Sequence, residues 1–141
     1  NMTILLALGR FVGDRYGARA ILPVFLIGAL AGGAAFGLLG TSNFPMVGAS
    51  GAVFAFLGVW IAWDWRRHRA AGVSPGPVAR RVAVLVAINV AMLVGLQGML
   101  AWEAHLGGFL AGLAHGWWLE GRLARDARSE RAAARRARGM E

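Results

Sequence analysis

Residues 47–63 read VGASGAVFAFLGVWIAW, and residues 104–119 read AHLGGFLAGLAHGWWL. Both stretches are apolar and dense in glycine and alanine, and each carries a polar, reactive side chain near its start, Ser50 in the first and His105 in the second. In a water-soluble helix this much glycine would be destabilising. In lipid, small residues let helix backbones approach closely, and small-xxx-small spacing favours the approach. Gly108, Gly112 and Gly116 form one such ladder, and Gly28 and Gly32 form another. A ladder alone says only that a helix is packed against something.

Three further apolar segments surround these two: Asn1 to Leu8, Ile21 to Leu39 and Val82 to Leu100. The chain has 141 residues, 57% of them hydrophobic and only 16% charged, too little charge to cover a soluble domain of this length. The charges gather in clusters between long uncharged stretches, as in a polytopic membrane protein. The expected fold class is therefore all-α, a polytopic transmembrane helical bundle. Pro23 lies in the first turn of its segment, where a missing N–H does little harm. Asn1 to Leu8 is too short to span a bilayer, which takes about 20 helical residues. Without an initiator methionine, the expectation is a chain cut inside a transmembrane helix.

A net charge of +8 raises the question of nucleic acid. The basic residues argue against it: all are Arg, confined to inter-helix segments and a tail, with no aromatic-laced binding face. There is no Cys, which excludes a disulfide framework and a Cys metal site. The start lacks the basic region of a cleavable signal peptide.

The same arginines give an orientation. Arg10, Arg15 and Arg19 lie between the first two segments, and Arg66, Arg67, Arg69, Arg80 and Arg81 between the third and fourth. The rest follow the fifth, while the linkers around 40–46 and 99–103 carry none. Every basic residue thus falls on one side of an up-and-down topology, which the positive-inside rule makes the cytoplasm. Trp60, Trp63, Trp65, Trp117 and Trp118 read as interfacial belt residues on that side. The segment 122–141, mostly Arg, Ala and acids, is a cytoplasmic tail, either a solvated helix or disordered.

In this topology Ser50 and His105 both lie just inside the non-cytoplasmic end, at similar depth, on helices running the same way. Gly51 and Gly58 flank one, Gly108 and Gly112 the other, so the backbones can approach and a hydroxyl and an imidazole can come within about 3 Å. A neutral His can take the serine proton and later return it to a leaving amine. A helix start, with free N–H groups and a positive dipole end, suits a developing oxyanion. Against this, a serine at a helix start is more often an N-cap, and a lone membrane histidine is often a packing residue. The two together, at one depth among glycines, favour chemistry.

No soluble nucleophile elbow is present, because Ala52 stands where the second Gly would fall. Asp64 and Glu120 lie at the wrong end, and Glu103, two residues from His105, is expected to point elsewhere on the helix, so a dyad fits better than a triad. His68 and His115 have no second ligand at metal spacing, so neither metal nor cofactor is expected.

These residues resemble a known family. Gly48-Ala49-Ser50-Gly51-Ala52-Val53-Phe54 resembles the serine motif of rhomboid intramembrane proteases, and Ala104-His105-Leu106-Gly107-Gly108-Phe109-Leu110-Ala111-Gly112 resembles their histidine helix. Asn1-Met2 and the stretch to Gly17 resemble the end of the helix carrying that family's His-x-x-x-Asn motif. The likeness covers roughly Asn1 to Gly121 and implies a six-helix core, here without its first helix and part of its second. It implies hydrolysis of a peptide bond in or near the transmembrane segment of a membrane-protein substrate; Arg without Lys and the abundance of Ala and Gly add the expectation of a multi-pass protein of a bacterial inner membrane. Ser50 would be the nucleophile and His105 the base. Asn1 would donate its amide to the oxyanion, Gly48 would keep the serine's approach open, and Phe54 would lie against the catalytic ring.

Two other classes share parts of the pattern. A catalytically silent rhomboid-like protein that binds membrane clients would usually lack the Ser or the His. A transporter or channel subunit could use Asn89 and Gln97, but these do not join into an ion-binding set.

Overall fold

The computed structural model describes residues 1–40, 49–96 and 100–138, and these are almost entirely helical with no strand among them. Helix α1 spans Met2–Tyr16, a short 3-10 turn spans Ala18–Ala20, and α2 spans Ile21–Leu39. Helix α3 spans Ser50–Ala70, α4 Gly76–Gly95 and α5 Trp102–Arg138. The chain turns from α1 into α2 at Gly17, whose φ of 88° suits a residue without Cβ. The helices outrun the apolar segments, because apolarity ends where lipid would end but backbone hydrogen bonding continues into water. Thus α3 runs on through Arg66, Arg67 and Arg69, and α5 continues as an exposed arginine-rich helix to Arg138. The tail is therefore helical throughout its described residues.

Two helices are long and apolar enough to cross a membrane, residues 18–39 and 76–95. Their outer faces carry exposed Leu22, Leu26 and Leu30, and Val84, Val86 and Val90. Helix α3 is the buried centre, with ten of its residues enclosed from Gly51 to Asp64. Being wrapped by its neighbours, it need not be as apolar as a lipid-facing helix.

Glycines set the packing. A Cβ on Gly108 would lie 2.8 Å from the Gly51 carbonyl carbon, one on Gly112 2.5 Å from the Ala55 Cα, and one on Gly116 2.7 Å from the Val59 Cα. The pairs 51–108, 55–112 and 59–116 increase together, so α3 and α5 run parallel in backbone contact. Gly58 makes the reciprocal approach, its missing Cβ leaving room for the Leu113 nitrogen at 2.5 Å. Helix α2 closes the trio, with Gly28 against Ala52 and Gly32 against Gly51 and the Ala104 carbonyl.

Helix α1 joins the trio through an apolar cluster of Val12, Val24, Ala55, Phe56 and Val59, and a charged layer lies beyond it. Arg15 donates through Nε and Nη2 to the two Glu120 oxygens, each at 3.1 Å, and the Tyr16 hydroxyl donates to Glu120 Oε1 at 2.7 Å. Burial and the Glu120 carboxylate push the Tyr16 phenol above its ordinary range, in keeping with its place as donor to Glu120. Asp64, 3% exposed, accepts from Arg81 of α4. Guanidinium groups also cover indoles, Arg67 over Trp63, Arg81 over Trp60 and Arg122 over Trp118, at 5.0 to 5.4 Å.

Gly112→Ala is expected to lower the unfolding free energy by about 1–3 kcal/mol, because backbone rather than a flexible side chain would have to move. Gly33→Ala, where an added methyl meets open space, should be neutral or stabilising by up to about 1 kcal/mol through helix propensity. Reversible unfolding in mixed micelles measures both, and equal effects at the two positions would refute the close-contact account.

Candidate active site

Ser50 is the first residue of α3, and Ala49 precedes it as the N-cap. The first helical bond runs from the Val53 nitrogen to the Ala49 carbonyl at 3.0 Å. The N–H groups of Ser50, Gly51 and Ala52 therefore have no acceptor within the helix. Ser50 is not spent as an N-cap, which removes the commonest structural explanation for a serine at this place.

Phe54, one turn further along α3, stacks on the His105 ring with centroids 4.2 Å apart and planes within 11°. His105 lies in the first turn of α5 and is 8% exposed. A Cβ on Gly51 would stand 3.3 Å from the Ala104 carbonyl oxygen, so the residues next to Ser50 and His105 touch through their backbones. The two reactive residues thus start from one level of adjoining helices. The hydrogen bond His105 makes among the described residues goes elsewhere: its Nδ1 lies 2.7 Å from Asn89 Oδ1 of α4.

The other residues singled out by sequence are distributed as follows. Gly51, Gly58, Gly108 and Gly112 all lie in the α2–α3–α5 contact. Asn1 is exposed as the N-cap of α1, its carbonyl accepting from the Leu5 nitrogen at 2.9 Å; no hydrogen bond joins its side chain to Ser50 or His105. Gly48 lies outside the described residues, as does Gln97. Glu103 is 2% exposed, on the interior of the bundle rather than turned away from it. His68 Nδ1 is 2.8 Å from the Asp64 carbonyl, and His115 stacks on Trp118 at 5.3 Å. Both have local structural roles.

Asn89 is the residue to which sequence reasoning gave no place in the site, having named it only under a transport reading that it set aside. The signal was available in its spacing. Val78, Val82, Leu85, Asn89 and Leu93 recur at helical intervals and are the α4 positions turned inward, and Asn89 is the polar member of that stripe. An apolar cavity of about 230 Å3 opens between α3, α4 and α5, with His105 and Asn89 as its polar groups and Phe54, Trp102 and Phe109 among its walls.

A family model described as Rhomboid domain matches residues 1–122 of the chain. No curated protein and no solved structure matches it.

The Phe54–His105 stack should register as a coupling of about 0.5–1.5 kcal/mol in a double-mutant cycle of Phe54→Leu with His105→Ala. Unfolding free energies of the four proteins in micelles provide it, and additive losses would mean the rings touch without mutual stabilisation.

Proposed function

Since the chain belongs to the rhomboid family, we propose that it is an intramembrane serine endopeptidase working through Ser50 and His105. Family and apolar helices together make it a membrane protein. The observation that supports the proposed chemistry most is the meeting of the α3 and α5 N-termini at Gly51 and Ala104, beside a His105 ring held face-on by Phe54.

On this reading Ser50 Oγ attacks the carbonyl carbon of the scissile bond while His105 Nε2 takes the hydroxyl proton. The negative charge that moves to the carbonyl oxygen falls at the start of α3. There the N–H of Ser50, which has no acceptor within the helix, and the helix dipole favour it, and the Asn1 amide is the proposed second donor. As the C–N bond breaks, His105 returns the proton to the amine. Water then attacks the acyl group on Ser50, His105 takes its proton, and the hydroxyl is regenerated with release of the acid.

Substrates are membrane proteins cut in or near a transmembrane segment, because the dyad is proposed to lie at the membrane-buried start of two helices. The membrane domain covers residues 1–121 of this chain as a multi-pass bundle, and 122–141 is a cytoplasmic tail. Its arginines and those of 66–81 make that side cytoplasmic, in keeping with a bacterial inner membrane. The channel reading loses support because Asn89 is engaged by His105 and by the Leu85 carbonyl.

The test is cleavage of a single-span substrate by the full-length protein in liposomes. Ser50→Ala and His105→Ala should each reduce turnover by at least about a hundredfold with folding intact. Variants that cut as fast as the parent would place the chemistry elsewhere. A parent that binds several substrates and cuts none would favour a client-binding role.

A further inference from the structure

We propose that Asn89 is a positioning residue for His105: by accepting a hydrogen bond from Nδ1–H, it selects the imidazole tautomer whose Nε2 is free to take the Ser50 proton. The inference rests on the dyad reading and adds to it a residue from a third helix, α4.

The direction of the bond follows from its neighbours. Asn89 Nδ2 donates to the Leu85 carbonyl at 2.9 Å, and a carbonyl can only accept. Turning the amide over would set two acceptors against each other at that distance. The amide orientation is therefore fixed, and Oδ1 is the atom 2.7 Å from His105 Nδ1. Since Oδ1 has no proton, Nδ1 must carry one. A neutral imidazole has a single N–H, so Nε2 is left as the acceptor, on the opposite edge of the ring.

Two contacts then hold the ring. The stack on Phe54 sets its plane and the bond to Asn89 sets its rotation within that plane. An acceptor at this place is more than an accident of packing. The stripe of α4 that faces the bundle is otherwise Val and Leu, and the cavity beside it is apolar. A polar side chain in such surroundings is costly unless bonded. An amide also orients the imidazole without placing a charge there. Of the buried acids, Asp64 and Glu120 are engaged by arginines at the far end of the bundle, and Glu103, two residues before His105, makes no hydrogen bond to the ring, whose Nδ1 partner is Asn89.

The test uses two readouts on the full-length protein. The first is kcat and KM on a single-span substrate in liposomes. The second is the 15N spectrum of labelled histidine, which separates a protonated Nδ1 from a protonated Nε2 without any need for turnover. Asn89→Leu removes the acceptor at similar volume. It should lower kcat about tenfold to a hundredfold, the scale seen when the outer partner of a functional imidazole is lost, with KM within about twofold. It should also move proton density from Nδ1 to Nε2. Asn89→Asp keeps an acceptor for Nδ1 but loses the donor to the Leu85 carbonyl, so it should retain the parent tautomer with a kcat between those of the parent and Asn89→Leu. The proposal is overturned if Asn89→Leu keeps the parent's kcat, or if it loses activity while the His105 tautomer stays unchanged, as a purely structural role would give. If the parent itself cuts nothing, the protease reading falls, and the tautomer measurement still decides whether Asn89 sets the proton on His105.

Discussion

The register in which α3 lies against α5 is the constraint on which everything else depends. Helices in lipid gain little from burying one apolar side chain against another, because the tails are equally apolar. Close backbone approach and its dispersion contacts have to do the work instead. Gly108, Gly112 and Gly116 allow that approach only opposite Gly51, Ala55 and Val59. Sliding α5 by one turn would set the far bulkier Trp63 against Gly116 and unstack Phe54 from His105. That Ser50 and His105 start from one level, beside the Gly51–Ala104 contact, is thus a consequence of the packing and needs no separate device.

Helix α4 is held in a different way. Val78 is its one fully buried residue, and most of its surface faces outward. Its polar links to the bundle among the described residues are Arg81 to Asp64 and Asn89 to His105. Each such bond is worth about 1 kcal/mol on typical scales, yet with so little buried area they form a large part of what seats the helix. The same Asn89 that orients the imidazole therefore also ties it to the least enclosed helix. Any outward displacement of α4 would enlarge the cavity beside His105 and release Nδ1 together.

Much of this was legible in the residues. The glycine ladders named the contacting faces, the serine and histidine motifs named the two ends that meet, and Phe54 fell four residues after Ser50 with the ring it stacks on. Helix lengths were not legible from hydropathy, since α3 and α5 continue as solvated helix past the apolar stretch. The burial of Glu103 and the partner of His105 were also beyond reach, because both depend on which face of a helix turns inward. For Asn89 the face was readable from the period of Val78, Val82 and Leu85, but the partner was not, because α4 could have met α3 or α5 in several registers. The two networks at Asp64 and Glu120 escaped for the same reason: an acid and an arginine can be seen in sequence, but their pairing is set by packing.

Parallel packing of α3 and α5 has an electrostatic consequence. Two parallel helices put two positive dipole ends side by side, here at Ser50 and at His105, and two trains of carbonyls run toward the other end. The positive end, with free N–H groups, is the part of a helix bundle best suited to receive a developing negative charge without a metal or a buried cation. The opposite end must be offset, and the basic residues in the last turn of α3, Arg67, His68 and Arg69, stand there. Asp64 and Glu120 are about 21 Å along their helices from Ser50 and His105, at about 1.5 Å per residue. At that depth they can fix Arg81 and Arg15 near the rim of a hydrocarbon layer about 30 Å thick. The layer of Asp64, Glu120 and their arginines is thus kept far from the imidazole, and Glu103, in the first turn of α5, is the buried acid nearest to it in sequence. On the proposed reading, a base that is uncharged at rest and cationic for a moment is served by the two helix dipoles and by the neutral Asn89 amide bonded to His105.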